Sequence, residues 1–481
     1  MFLGLLLFAP GIVIGWLLVR LLVPQMGALF EISLGAGLGI GVVSMLFFAL
    51  LWAGVTGRAV VLSIEAVLIG GGIWLVVRRP VVRSEPEPAA KSAWIWLLRA
   101  AAVLVFLFFA MDAAKSIEAT PDGGWDAFTI WNLKAKFLAG GTGSWRNLLA
   151  PVGDPRNPLF GANHPGYPLL LPGAVASAWT AQGETTSSTP AALALLFAFA
   201  TAALLGGAVA WLRGEAAGLL ALLLLLASEG FASQAGSQNA DIPLALYLLG
   251  TLALIAIAAD QGWPRGMLVL AGLSCGLAAW TKNEGVPFAI LAVAAVAWKG
   301  GRKAAGWMAL GALPAVMLLG AFKILLVPNT EALFPKTLGQ AIAKLTDFPR
   351  WLQIAESYVQ SIWHMGTAWA HPVLLVAVLA VALGLAPRAV MRKQLWLAIP
   401  VVGLLAADFA AYLLTIADLS WQLSTSNLRI IVQVWPALLL LAFLVIAPPA
   451  LPEARAIEIQ KPVRGKAERK KSKGSRVLNA K

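Results

Sequence analysis

Five short polar clusters interrupt an otherwise apolar chain, and they carry the side chains that acid–base and phosphate chemistry need. The first, from Glu118 to Lys136, sets Asp122 and Asp126 around a Gly-Gly turn and then Lys134 and Lys136 on an amphipathic helical pattern. A carboxylate beside a reacting hydroxyl removes its proton, and fixed cations stabilise a phosphate. Trp125, Phe128 and Trp131 in the same stretch suit a membrane–water interface. The plainer alternative is that Asp126 caps a helix and the lysines are solvated.

The other four clusters each allow two readings. His164-Pro165-Gly166-Tyr167-Pro168 is either a proline-rich helix entrance or a cavity wall, with His164 donating to a phosphate or sugar hydroxyl. Asn239 and Asp241 stand at the start of an apolar run, where Asp241 either caps the helix and favours its dipole or marks a functional site. Lys282 and Glu284 occupy a tight turn between two apolar stretches. They form either a pair of small worth or a charged site sunk among short helices. Arg429 enters the last apolar run, and either binds phosphate or snorkels to the interface.

The elements that must position these groups are membrane helices. Of 481 residues, 59% are hydrophobic and only 12% charged, and the mean hydropathy is +0.80. Soluble domains carry roughly twice that charged fraction. Runs such as Trp94–Ala113 and Ala191–Leu212 reach the roughly 20 residues that cross ~30 Å of hydrocarbon. Backbone polar groups in lipid must be bonded internally, so these runs become helices, and the short alternating segments of a β-barrel are absent. The expected fold is therefore all-α, a polytopic transmembrane helical bundle. Three histidines and one cysteine, Cys275, leave no zinc-like spacing and no disulfide framework.

Basic loops set the expected topology, because they favour the cytoplasm. The markers are Arg78, Arg79, Arg83 and Lys91, then Lys299, Arg302 and Lys303, then Arg388, Arg392 and Lys393, and finally a tail from Pro452 with ten Lys and Arg against three acids. Thirteen spans follow, at about 2–22, 33–54, 58–77, 94–113, 190–212, 215–229, 241–259, 266–281, 285–298, 305–327, 366–386, 395–416 and 430–448. The division is 1–93 as extra N-terminal spans, 94–448 as the main module with an outer loop at 114–165, and 449–481 as a disordered basic cytoplasmic tail. Tyr167–Trp179, short and broken by Pro168 and Pro172, is expected as a juxtamembrane or re-entrant helix on the outer face. The net charge of +13 is explained by orientation and anionic lipid rather than by nucleic acid.

Taken in order, the five clusters resemble those of the GT-C superfamily of polyprenyl-phosphate-sugar glycosyltransferases, in the branch of protein O-mannosyltransferases and lipid A aminoarabinose transferases. The family's acidic motif followed by a basic helix is matched by Trp125-Asp126 and Lys134-Ala135-Lys136, and its His-Pro element by His164-Pro165. Asp241 and Thr281-Lys282 match its later motifs, and the resemblance covers about Asp112–Arg429. Two features depart from the pattern: Ala127 stands where many relatives have Glu, and three spans precede the one leading into the first loop.

The resemblance implies a multi-pass enzyme of the bacterial inner (plasma) membrane with its site on the extracytoplasmic face. It would transfer a sugar from a lipid-phosphate donor to a lipid, glycan or protein acceptor. Asp126, or secondly Asp122, is the expected general base; Lys134, Lys136, Lys282, Glu284 and Arg429 are expected at the donor, and His164, Tyr167, Asn239 and Asp241 at the sugar or acceptor. A divalent metal on Asp122 and Asp126 is an alternative source of phosphate neutralisation. The competing functions are a lipid or sugar transporter or flippase, and a polymerase or ligase of the O-antigen type.

Overall fold

The computed structural model describes residues 2–23, 26–79, 92–149, 164–328, 334–367 and 370–449. The basic tail beyond 449, Arg83, Lys91 and residues 150–163 of the first loop lie outside the described residues. What is described is all-helical, with a single antiparallel bridge, Leu385 to Ile446. Nine helices among the described residues are long and apolar enough to cross a bilayer, from Gly4–Leu22 to Leu419–Val445. The chain is thus a membrane-embedded, multi-pass helical protein.

Three further apolar helices are shorter: Glu215–Leu226, Arg265–Thr281 and Pro372–Leu383. Conversely, the 41-residue helix Gly285–Leu325 is two arms. Straight, it would extend about 60 Å. Instead its backbone breaks at Gly301, where φ is 81°, and Lys323 Nζ returns to donate to Asn283 Oδ1 at 2.8 Å. Glycine is needed at that reversal because an L side chain is strained at positive φ.

The expected short helix after Tyr167 forms at Leu170–Gln182, and Leu170 to Trp179 are all buried. It is wedged against the helix Ala28–Trp52, whose Ser44 hydroxyl donates to the Leu170 carbonyl at 2.6 Å. Pro172 falls in the helix's first turn, where its missing N–H costs no intrahelical bond.

Lipid tails give helices no hydrophobic reason to associate, so close packing of small residues has to do it. Gly15 meets the backbone of Gly35 and Gly39, and Gly272 meets the Met308 carbonyl. The N-terminal helices join the same core as the later ones, since Tyr247 donates its hydroxyl to the Gly37 carbonyl at 2.7 Å.

The bundle has two unlike ends. One gathers basic groups on backbone carbonyls and acids: Arg79 donates to Leu21, Arg213 to Leu444, and Arg20 pairs with Glu31 at 3.1 Å. The other end carries the first loop, the Lys282 turn and two amphipathic helices, Leu338–Leu345 and Phe348–Trp363. The second of these leaves Phe348, Leu352, Val359 and Trp363 exposed, as an interfacial helix does.

Gly272→Val is expected to lower stability by about 1–3 kcal/mol, because a Cβ there overlaps the Met308 carbonyl. Gly306→Val, where nothing lies within 4 Å, serves as the control. Thermal unfolding in detergent reads both, and equal melting of the two variants would refute glycine-mediated packing at this crossing.

Candidate functional site

Asp241 begins the helix Asp241–Asp260 and is completely buried. A carboxylate in that position needs full compensation. Its Oδ1 accepts from Lys282 Nζ at 3.1 Å and from Gln433 Nε2 at 2.7 Å, while Oδ2 accepts from Arg429 Nε at 2.7 Å. The carboxylate caps nothing; it binds together the start of one helix, the turn after Arg265–Thr281 and the helix Leu419–Val445.

Each cation of this cluster has a second, more exposed acid. Lys282 pairs with Glu284 at 2.7 Å, and Arg429 Nη1 donates to Asp126 Oδ2. Side-chain exposure is 0% for Asp241 but 20% for Glu284 and 32% for Asp126. The inner acid is enclosed, and the outer two line a cavity. Burial alone would depress the Lys282 pKa, but Asp241 and Glu284 more than offset this and hold it well above the usual lysine range.

These groups line a cavity of about 400 Å³. Asp126, Tyr167, Lys282, Glu284 and Arg429 all contribute to it, with Asn283, Asp408, Tyr412, Gln422, Ser426 and Gln433 on the remaining walls. Tyr167 is half-buried against the first loop, its ring 5.4 Å from that of Trp131. Burial, reinforced by Glu284, pushes its phenol up to about 12, so it stays a neutral hydroxyl.

The first loop reaches the cavity because it is pinned from behind. Asp126 precedes a π-helical turn, Ala127–Asn132, and then the helix Leu133–Ala139. Asp126 makes no capping bond. Asn132 Nδ2 donates to Gln238 Oε1 at 2.8 Å, and Gln238 donates onward to the Pro121 carbonyl at 2.9 Å. Lys134 is fully buried and donates to the carbonyls of His164 at 2.7 Å and Tyr167 at 3.3 Å. It joins the loop to the next segment.

The remaining candidates are outside this cavity's lining. Asp122 and Lys136 are exposed on the first loop, Asn239 lines a separate small pocket with Trp131 and Asn132, and His164 lies beside Tyr167 with its ring 5.2 Å away. Trp131, suited in sequence to an interface, is instead 2% exposed beneath the loop, whereas Trp125 and Phe128 are exposed. Asp126 is engaged by Arg429, and Asp122 does not line the cavity. Among the described residues no group of three or more metal-ligating side chains occurs.

Asp408, Gln433 and Tyr412 also line the cavity, yet they belong to none of the five polar clusters, since they sit inside apolar runs. The signal for Asp408 is its charge: an ionisable residue within a membrane helix faces a cavity or a partner. Comparison of the chain with family models, curated proteins and solved structures returns no match.

Asp241→Ala is expected to cost about 3–5 kcal/mol, because Lys282 and Arg429 lose the acid that justifies their burial. Removing a cation too, in Asp241→Asn with Arg429→Gln, should regain about half of that loss. A single variant that melts like the wild type would mean the ion cluster does not hold the bundle.

Proposed function

We propose that the chain is a membrane glycosyltransferase that moves a sugar from a polyprenyl-phosphate donor to a hydroxyl acceptor. The observation that carries this reading is the two-tier ion cluster, in which a buried acid fixes two cations and part-exposed acids cover them at the edge of the cavity. The thirteen-span topology belongs to the same reading, with both arms of Gly285–Leu325 and the three short helices taken as crossings. So do the extracytoplasmic position of the site and the cytoplasmic tail, in line with basic groups gathering at the opposite end. A GT-C-like fold and a bacterial inner membrane rest on the motif resemblance.

In this reading the donor phosphate takes the places of Asp126 on Arg429 and of Glu284 on Lys282. Asp241 stays, because it has no exposed surface through which to leave. Phosphate binding thereby releases the Asp126 carboxylate next to the anomeric carbon. The acceptor oxygen attacks C1 as its proton passes to Asp126. The bond from C1 to the phosphate oxygen breaks, and its electron pair leaves with the lipid phosphate. Lys282 and Arg429 stabilise the charge that develops there, already oriented before the reaction begins. The isoprenoid stays in the bilayer, so no nucleotide-binding domain is required.

A transporter would need its ionisable groups on a path through the bilayer midplane. Asp126, Lys282 and Glu284 instead gather at one end, on the first loop and the Lys282 turn, with Arg429 beside them.

Asp126→Asn is expected to express and bind donor but lose transfer by at least about 100-fold. Labelled polyprenyl-phosphate sugar, supplied at one face of proteoliposomes, separates the classes: labelled acceptor is the expected product. Translocation of label without transfer would overturn the enzyme reading, and wild-type turnover in Asp126→Asn would remove that residue as the base.

A further inference from the structure

Away from the ion cluster, the helix Arg58–Val77 carries one acid, Glu65, within a run apolar enough to cross a bilayer. Thr56, just ahead of that helix, lies against Gly141 of the first loop, and Glu65 stands about 10 Å further along the helix than Arg58. The residue is 9% exposed and makes no hydrogen bond or ion pair among the described residues, yet its carboxyl oxygens keep accessible surface. Ser177, 2% exposed on the buried helix Leu170–Gln182, is in the same condition. Both line one cavity of about 20 Å³, walled by Val43, Phe47 and Val61, and they are not bonded to each other.

Buried polar groups are nearly always paired, and an ionisable one inside a membrane helix faces a cavity or a partner. Here two unpaired groups on neighbouring helices share a space that holds about one water-sized group. No cation among the described residues accompanies Glu65, and a lone carboxylate at that depth is costly, so the form it offers is the neutral acid, which both donates and accepts. A single hydroxyl matches that pair: it donates to the carboxyl and accepts from Ser177. A phosphate or a sugar ring is too large for the space, and an ammonium would have to carry its charge below the interface.

Leu46 and Leu68 line this cavity and also a larger apolar one of about 900 Å³, which continues past Gly71 to Leu75. From Glu65 to Leu75 the helix advances about 15 Å, half of the ~30 Å hydrocarbon core. The groove therefore has a polar end for one hydroxyl and an apolar length for one chain. We infer that Glu65 and Ser177 form the head site of a lipid groove that takes a long-chain alcohol, with its hydroxyl on the pair and its chain toward Leu75. The groove shares no lining residue with the Asp126–Arg429 cavity, and its assignment does not rest on the glycosyltransferase reading.

The test uses the full chain in nanodiscs and dicyclohexylcarbodiimide, which reacts with neutral carboxyl groups in apolar surroundings. The carboxyl O–H adds across one C=N bond, the acyl group migrates to nitrogen, and a stable N-acylurea remains on the residue with nothing lost. Peptide mass spectrometry should find it at Glu65 and find position 65 unlabelled in Glu65→Gln. Dodecanol should halve the labelling rate at a mole fraction in the bilayer about tenfold lower than dodecane needs, the difference that hydrogen bonding makes. Ser177→Ala should raise the dodecanol fraction about fivefold. Gly71→Leu, which fills the groove where a Cβ meets nothing within 4 Å, should raise it too while Glu65 stays reactive. No labelling of Glu65, or an unchanged dodecanol effect in Ser177→Ala, would overturn the site. Equal protection by dodecane and dodecanol would leave a water only at the polar pair, and stronger protection by dodecylammonium would make it an ion site; either result overturns the alcohol assignment.

Discussion

A single carboxylate, that of Asp241, sets the terms for the polar end of this protein. Taking an ion out of water costs several kcal/mol even after relaxation, and at a membrane helix the alternatives to pairing are few. With both oxygens occupied by Lys282, Arg429 and Gln433, Asp241 makes it possible for two cations to exist beneath a cavity instead of in solvent. The arrangement links helices far apart in the chain, because a cation on one and an acid on another are each costly alone. It also decides where the first loop ends: Arg429, held by Asp241, presents its second face to Asp126.

The scaffold around the cluster is built from close crossings and carbonyl ties. Small residues let backbones touch where hydrocarbon solvent gives no drive to associate, and the reversal at Gly301 brings Lys323 back to the level of Asn283. Lys323 also donates to the Gly166 carbonyl, next to the residue that places Tyr167 in the cavity wall. Lys134 does the same for the neighbouring carbonyls. Ammonium groups on backbone oxygens thus anchor the segment between the first loop and the buried helix Leu170–Gln182. A lysine in a loop of a membrane protein invites a phosphate-binding reading, and Lys134 shows the other use of the same chemistry.

Much of the architecture is legible in the chain. Apolar run length marks the helices, nine of which among the described residues are long and apolar enough to cross a bilayer, because lipid forbids unpaired backbone and leaves one local solution. The short, buried helix after Tyr167 is legible from its length and its two prolines. Among the charged clusters, Asp126, Lys282, Glu284 and Arg429 stand out by the rule that ions near hydrocarbon need a reason. Asp408 obeys that rule as well, yet its run reads as uniformly apolar when hydropathy is averaged along it. What separates Lys134 from Lys282 cannot be read from spacing, since both are lysines at the edges of helices.

Residue types and run lengths determined on their own that this is a membrane-embedded helical protein, with polar clusters at the ends of its helices, since the bilayer imposes its requirements residue by residue. Which clusters meet was decided only by tertiary packing. The distance between Asp126 and Arg429 depends on how several helices cross and where the chain reverses, and none of that has a local signal. Folding assigned Asp241 to the interior, left Asp126 and Glu284 at the cavity, and used Lys134 as a strut, because each charge took the nearest partner its helix could reach.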